Sequence, residues 1–153
     1  MTPEAERPFV AVVCGGRVGV VEIAPTLVLS ALVSALRWPR DMIWVDGDAV
    51  GYDRLCRAWA AKWGFATEVY KVDPALDGEG DDAPKRRNTR MRETSQPDVC
   101  VAFPGGPGTR DMWMQCLNAG IRVYSVEFDG DRYTVYQMDR DQPGLKLIEG
   151  KLR

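Results

Sequence analysis

The segment Pro104-Gly105-Gly106-Pro107-Gly108-Thr109 carries the residue types in this chain best suited to holding a phosphate. Its glycines let a backbone approach an anion closely. Thr109 stands where a helix would begin and is a natural N-cap. A helix N-terminus offers free N–H groups and a partial positive charge, and both suit phosphate. The same pattern also serves a tight strand-to-helix turn that holds nothing. It is not a Walker A loop, because no Lys-Ser or Lys-Thr pair follows.

Three other clusters have chemical potential. Lys85-Arg86-Arg87-Asn88-Thr89-Arg90-Met91-Arg92 places five cations in eight residues. Either they form a solvated helix face paired with the acidic stretch before them, or one or two clamp an anionic ligand. The planar fork of arginine binds two phosphate oxygens at once. Arg87 and Asn88 lead the candidates because they open that helix near the expected ligand edge. Gly15-Gly16-Arg17-Val18-Gly19 lacks the GxGxxG spacing of dinucleotide loops. Arg17 either reaches a phosphate there or is an exposed loop arginine. Asp48 and Asp53 flank a turn that begins at Gly47. Asp53 either supports the following helix or accepts hydrogen bonds from a sugar or base.

The chain has no histidine. Ser-His-Asp catalysis, Cys-His catalysis and histidine metal centres are therefore excluded. Cys14, Cys56, Cys100 and Cys116 form no CxxC pair and sit in or beside apolar segments. They read as buried, reduced thiols of a cytoplasmic protein, without a zinc site. No metal or cofactor is expected. A net charge of −2 argues against the broad positive field that non-specific nucleic-acid binding needs. No apolar run approaches the roughly 18 residues of a membrane helix. Met1 to Arg7 is polar and acidic and does not read as a signal peptide.

These residues must be positioned by regular elements. Phe9–Cys14 is a continuous apolar run ending at Gly15-Gly16, as in a buried parallel strand. Residues 25–37 follow a helical pattern, with Pro25 in the first turn and Leu29, Leu32, Val33 and Leu36 on one stripe. Met42–Val45 reads as a second strand. A helix over 51–63 should face the core through Leu55, Trp59 and Trp63, with Gly64 at its end. Ala66–Val72 reads as a third strand. Residues 73–84 carry two prolines, two glycines and five acidic residues, which predicts a mobile surface loop. A basic helix over 86–95, a strand over Asp98–Phe103, a helix over 109–119 and a strand over Ile121–Val126 follow. Alternation over 132–138 and 145–149 predicts an added antiparallel hairpin.

This order predicts a single α/β domain over residues 1–153. It is a Rossmann-like three-layer fold with a mainly parallel sheet of about five strands, its core over 9–126 and a C-terminal extension over 127–153. Ligands in such sheets bind beyond the carboxyl ends of the strands. The turns at 14–19, 46–51 and 104–109 should converge there.

With these residues in place, a resemblance emerges. Gly15-Gly16-Arg17, Gly47-x-x-x-Gly51-x-Asp53-x-Leu55, Trp59-Ala60, Arg87-Asn88-x-x-Met91, Pro97-Asp98 and Phe103-Pro104-Gly105-Gly106-x-Gly108-Thr109-x-Asp111-Met112 resemble the SLOG superfamily. The pattern spans residues 9–126 and is closest to small bacterial and phage domains of unknown function in that group. The resemblance implies a Rossmann-like fold, a nucleotide-derived ligand and a homodimer or higher homo-oligomer. Two functions follow from it. One is a binding protein, a sensor or a sequestering sponge, conceivably in phage counter-defence. The other is a LOG-type phosphoribohydrolase, which releases a base from a nucleoside monophosphate. In those hydrolases an upstream arginine matches Arg87, and the glutamate of PGGxGTxxE falls on Met112. Methionine neither stabilises an oxocarbenium ion nor activates water. In the enzymatic reading Asp111 replaces the glutamate, although one helical step turns it about 100° away. Tyr52 stands where relatives keep a small residue, and the acidic stretch where they carry a tryptophan and a lysine.

Overall fold

The computed structural model describes residues 7–153; the reading of the first six residues lies outside them. The elements run β1 (Val10–Cys14), α1 (Ala24–Leu36), β2 (Ile43–Asp46), α2 (Tyr52–Lys62), β3 (Ala66–Val69), α3 (Pro74–Asp77), α4 (Ala83–Ser95), β4 (Val99–Ala102), α5 (Pro107–Asn118), β5 (Arg122–Asp129), β6 (Arg132–Asp139) and β7 (Gln142–Lys151). They form one sheet in the order β3-β2-β1-β4-β5-β6-β7. The pairs from β3 to β5 are parallel, and β5-β6-β7 are antiparallel. The fold is Rossmann-like α/β.

The period of two in β1 sends its side chains to both sheet faces. Ala11 and Val13 join Val28, Leu29 and Leu32 of α1 and Cys56 and Trp59 of α2. Val10, Val12 and Cys14 join Met91 of α4 and Met112 and Cys116 of α5. Burial on both faces explains why β1 is apolar throughout rather than alternating. Burying an aliphatic side chain of this size contributes about 1.5–3 kcal/mol, so these two clusters hold the three layers together.

Several expectations are corrected. Trp63 is 48 % exposed, and the buried face of α2 is Tyr52, Cys56, Trp59 and Ala60. Steps of four advance about 40° around a helix, so the Leu55-Trp59-Trp63 line drifts off the core. β3 ends at Val69, and all its residues are exposed at the sheet edge. β5 runs on to Asp129, so the hairpin of β6 and β7 extends the main sheet. The acidic stretch is anchored rather than loose. Asp77 ends α3, is buried, and accepts two hydrogen bonds from Arg90, each 2.8 Å long. Asp73 caps α3 by accepting from the Ala75 N–H. The acid–base pairing of loop and helix is therefore the reading that holds for Arg90. No helix among the described residues is long and apolar enough to cross a membrane.

Candidate functional site

The chain leaves β1 toward β2 and leaves β4 toward β5, so the loops after these adjacent strands diverge. A crevice opens at this switch of direction, as in other doubly wound sheets. It is a cleft of about 630 Å³. One wall is Gly15 to Gly19, the other Pro104 to Thr109. The two walls touch at the base, where the Gly16 N–H donates to the Pro104 carbonyl at 2.8 Å. There is no room for side chains at that crossing. A Cβ on Gly16 would lie 3.0 Å from the Gly105 Cα, and one on Gly105 would lie 2.7 Å from the Gly16 nitrogen.

Gly106 and Gly108 differ. A Cβ on either would meet nothing within 4 Å, and neither backbone lies in the left-handed region. Among the described residues, no packing contact requires glycine at these two positions.

Helix α5 begins at Pro107 with Gly106 as N-cap, and no side chain caps it. Thr109 is therefore not the N-cap. Pro107 takes the first position because its fixed φ suits a first turn. Thr109 lies inside that turn, buried, with its hydroxyl against Gly105. The Arg110 N–H makes the first intrahelical bond, to the Gly106 carbonyl at 3.0 Å. The N–H groups of Gly108 and Thr109 precede it and find no partner within the helix.

Arg87 reaches the cleft from α4. Its Nη1 donates to the carbonyls of Gly47 and of Tyr70, the latter at 3.1 Å, and its Nε donates to Asn88 Oδ1 at 3.1 Å. Burial pulls its pKa below the ordinary arginine value. Gly47 underlies the guanidinium, since a Cβ there would lie 2.6 Å from Arg87 Cζ. Asn88 also lines the cleft, and its Nδ2 donates to the Gly108 carbonyl at 3.2 Å and to Asp111 Oδ2 at 3.0 Å. It fixes α4 against the start of α5.

Asp53 is 5 % exposed and lines the cleft from α2. Its Oδ2 accepts the N–H groups of Gly47 at 3.1 Å and Ala49 at 3.2 Å. It holds the turn before its own helix, and it also faces the cleft. Burial pushes its pKa up to about 7. Asp48 does not line the cleft. It pairs with Arg57 at 2.6 Å and with Arg54 at 3.2 Å, and these guanidiniums lower its pKa. Gly47 itself lies behind Arg87 rather than in the wall. Arg17 lies on the exposed rim. Asp111 is turned toward α4, where it accepts from Asn88, and it also accepts from Gln115 Nε2 of its own helix at 3.0 Å. Met112, fully buried, lines the cleft floor instead.

Sequence reasoning missed Tyr52 and Phe128 as cleft residues. Tyr52 stacks on Phe103 with centroids 4.7 Å apart, and its hydroxyl accepts the Val21 N–H at 3.0 Å. The available signal was that Tyr52 stands where the relatives it resembles keep a small residue. Phe128 lies past the expected end of β5. All four cysteines are buried free thiols, with the sulfurs of Cys14 and Cys100 4.0 Å apart. Among the described residues, no group of three or more Cys, Asp or Glu is arranged to hold a metal ion.

No protein-family model matches the chain. No curated protein matches it either. Among solved structures, it is similar to glycinamide ribonucleotide transformylase 1 from Geobacillus kaustophilus, with 13 % identity and a TM-score of 0.45 over 94 % of this chain and 81 % of that one.

Proposed function

We propose that this chain binds a phosphorylated, nucleotide-derived small molecule in the cleft and holds it intact, as a sensor or a sequestering protein. One observation carries the reading. Gly106 and Gly108 keep the mouth of α5 bare although, among the described residues, no other atom lies within 4 Å of where their side chains would begin. Inside the first turn, at Gly108, glycine is less stable than alanine by up to about 1 kcal/mol, and the benefit lies in what approaches from outside. An anion at that mouth would meet the unpaired N–H groups of Gly108 and Thr109, the positive end of the helix, and Arg87 across the cleft.

Holding is favoured over cleavage by the acids. The place of the hydrolase glutamate is the apolar Met112, and the carboxylate of Asp111 is engaged with Asn88 and Gln115. The resemblance also implies a homodimer or higher homo-oligomer, which light scattering of the purified chain measures.

Thermal melting with nucleoside monophosphates, followed by analysis for free base, tests the proposal. Stabilisation without base release is expected. Thr109→Val combined with Arg87→Ala should abolish it. Steady base release, lost in Asp111→Ala, would establish the phosphoribohydrolase reading instead.

A further inference from the structure

The cleft wall away from the glycine loop contains a carboxyl group with one hand free. Asp53 Oδ2 is occupied by the Gly47 and Ala49 N–H groups. Among the described residues, Oδ1 receives no hydrogen bond, and it is not among the sealed, unpartnered atoms, of which only Trp44 Nε1 is found. An acceptor oxygen on a side chain 95 % removed from solvent, at the cleft wall, is an unusual surplus. Beside it stands a surplus donor. Arg87 uses Nε and Nη1 within the chain, and Nη2 has no partner among the described residues. The two side chains are held through one residue, since Gly47 donates its N–H to Asp53 and accepts from Arg87 at its carbonyl.

We infer that Asp53 Oδ1 and Arg87 Nη2 form a hydroxyl-recognition subsite, so that the ligand class is a sugar phosphate with free ring hydroxyls. This inference rests on the phosphate-binding reading above. A hydroxyl is both donor and acceptor. Neighbouring hydroxyls of a furanose ring donate to Oδ1 and accept from Nη2, satisfying both protein groups together. A ligand ammonium group fits less well, because Arg87 already places a positive charge there. Burial and the nearby Asp46 carboxyl raise the pKa of Asp53, while Arg87 and the two backbone N–H groups lower it. A neutral hydroxyl donor suits a carboxyl balanced in this way.

Calorimetric titration at pH 8, where Asp53 is ionised and Oδ1 accepts, tests the inference with three probes: inorganic phosphate, ribose 5-phosphate, and tetrahydrofurfuryl phosphate, which keeps the ring and lacks its hydroxyls. The wild-type chain should prefer ribose 5-phosphate over the hydroxyl-free ester by about tenfold, the equivalent of one hydrogen bond to a charged group. Asp53→Asn should erase that preference. Its amide oxygen can keep both backbone N–H groups, which turns its NH₂ toward the cleft and replaces an acceptor with a donor. Equal wild-type affinity for the two esters overturns the subsite while leaving phosphate binding intact. A preference that persists in Asp53→Asn assigns the hydroxyls to other residues and also overturns it. If none of the probes binds, the phosphate-binding reading fails, and the subsite with it. The comparison of esters is made on the wild-type chain and does not depend on the variant folding.

Discussion

The Gly16 N–H donates to the Pro104 carbonyl at 2.8 Å, and this bond closes the base of the cleft. It is possible because the loops after β1 and β4 meet at glycines. Gly105→Ala would drive a methyl group into Thr109 Oγ1 and to 2.7 Å from the Gly16 nitrogen. A loss of about 1–3 kcal/mol is expected from this overpacking, read as a lower urea midpoint. Phosphate-dependent stabilisation should vanish as well. Gly108→Ala is the control. It meets nothing among the described residues and, inside the first turn of α5, should leave the unliganded stability unchanged or raise it by up to about 1 kcal/mol, while weakening phosphate binding.

Arg87 bridges the carbonyls of Gly47 and Tyr70. Arg87→Leu should lower stability by about 1–3 kcal/mol, since part-buried carbonyls lose their donor. Arg87→Lys keeps the charge without the planar fork that reaches Asn88, Gly47 and Tyr70 together, and should recover less than half of the lost stability. Full recovery by lysine would show that charge alone is needed there.

Asp53 makes stability depend on pH in an uncommon direction. Its folded pKa is about 7, above the roughly 3.9 of an unfolded aspartate. Between these values the folded chain keeps a proton that the unfolded chain has released. Stability should therefore fall as pH rises from about 4 to about 7, by up to about 4 kcal/mol from this group. Burial also raises Asp46, which acts in the same sense. The lowered pKa values of Asp48 and Asp77 act oppositely, and their contribution is lost as pH falls below the unfolded value. Urea midpoints at pH 5 and pH 8 test this. Asp53→Asn should shrink the fall between them, and an unchanged fall would show that Asp53 is not its source.

Arg90 fastens α3 to α4 through Asp77, whose pKa it pulls down to about 2. Arg90→Leu leaves that carboxylate buried without its cation. Amide exchange over residues 73–82 should quicken by at least tenfold, with little change in the strands. Adding Asp77→Asn should restore part of the protection, because the stranded charge is then gone.

Much of the fold was legible because it rests on local period. The unbroken apolar run of β1 predicts burial on both faces, and helix-period segments between the strands predict a parallel sheet. Gly64 and Gly120 follow α2 and α5 in the left-handed conformation that suits a helix end. Boundaries were harder. Trp63 continues an apolar spacing past the end of α2, and only the seating of that helix on the sheet shows that it faces water. The acidic stretch has the composition of a loose loop, and its anchor, Arg90, lies on the next helix.

For the site, the sequence by itself determined that glycine-rich loops end β1 and β4 and that no histidine serves them. Those are properties of residue type and order. The tertiary structure decided which side chains reach the cleft. Arg87 meets Gly47 across a separation of 40 residues, Asp53 turns one oxygen to that same glycine, and Asp111 is drawn away by Asn88. Side-chain direction at such places is set by how α4 packs on α5 and how the turn after β2 closes. No local pattern encodes that geometry, because it is a balance among hydrogen bonds made between distant parts of the chain.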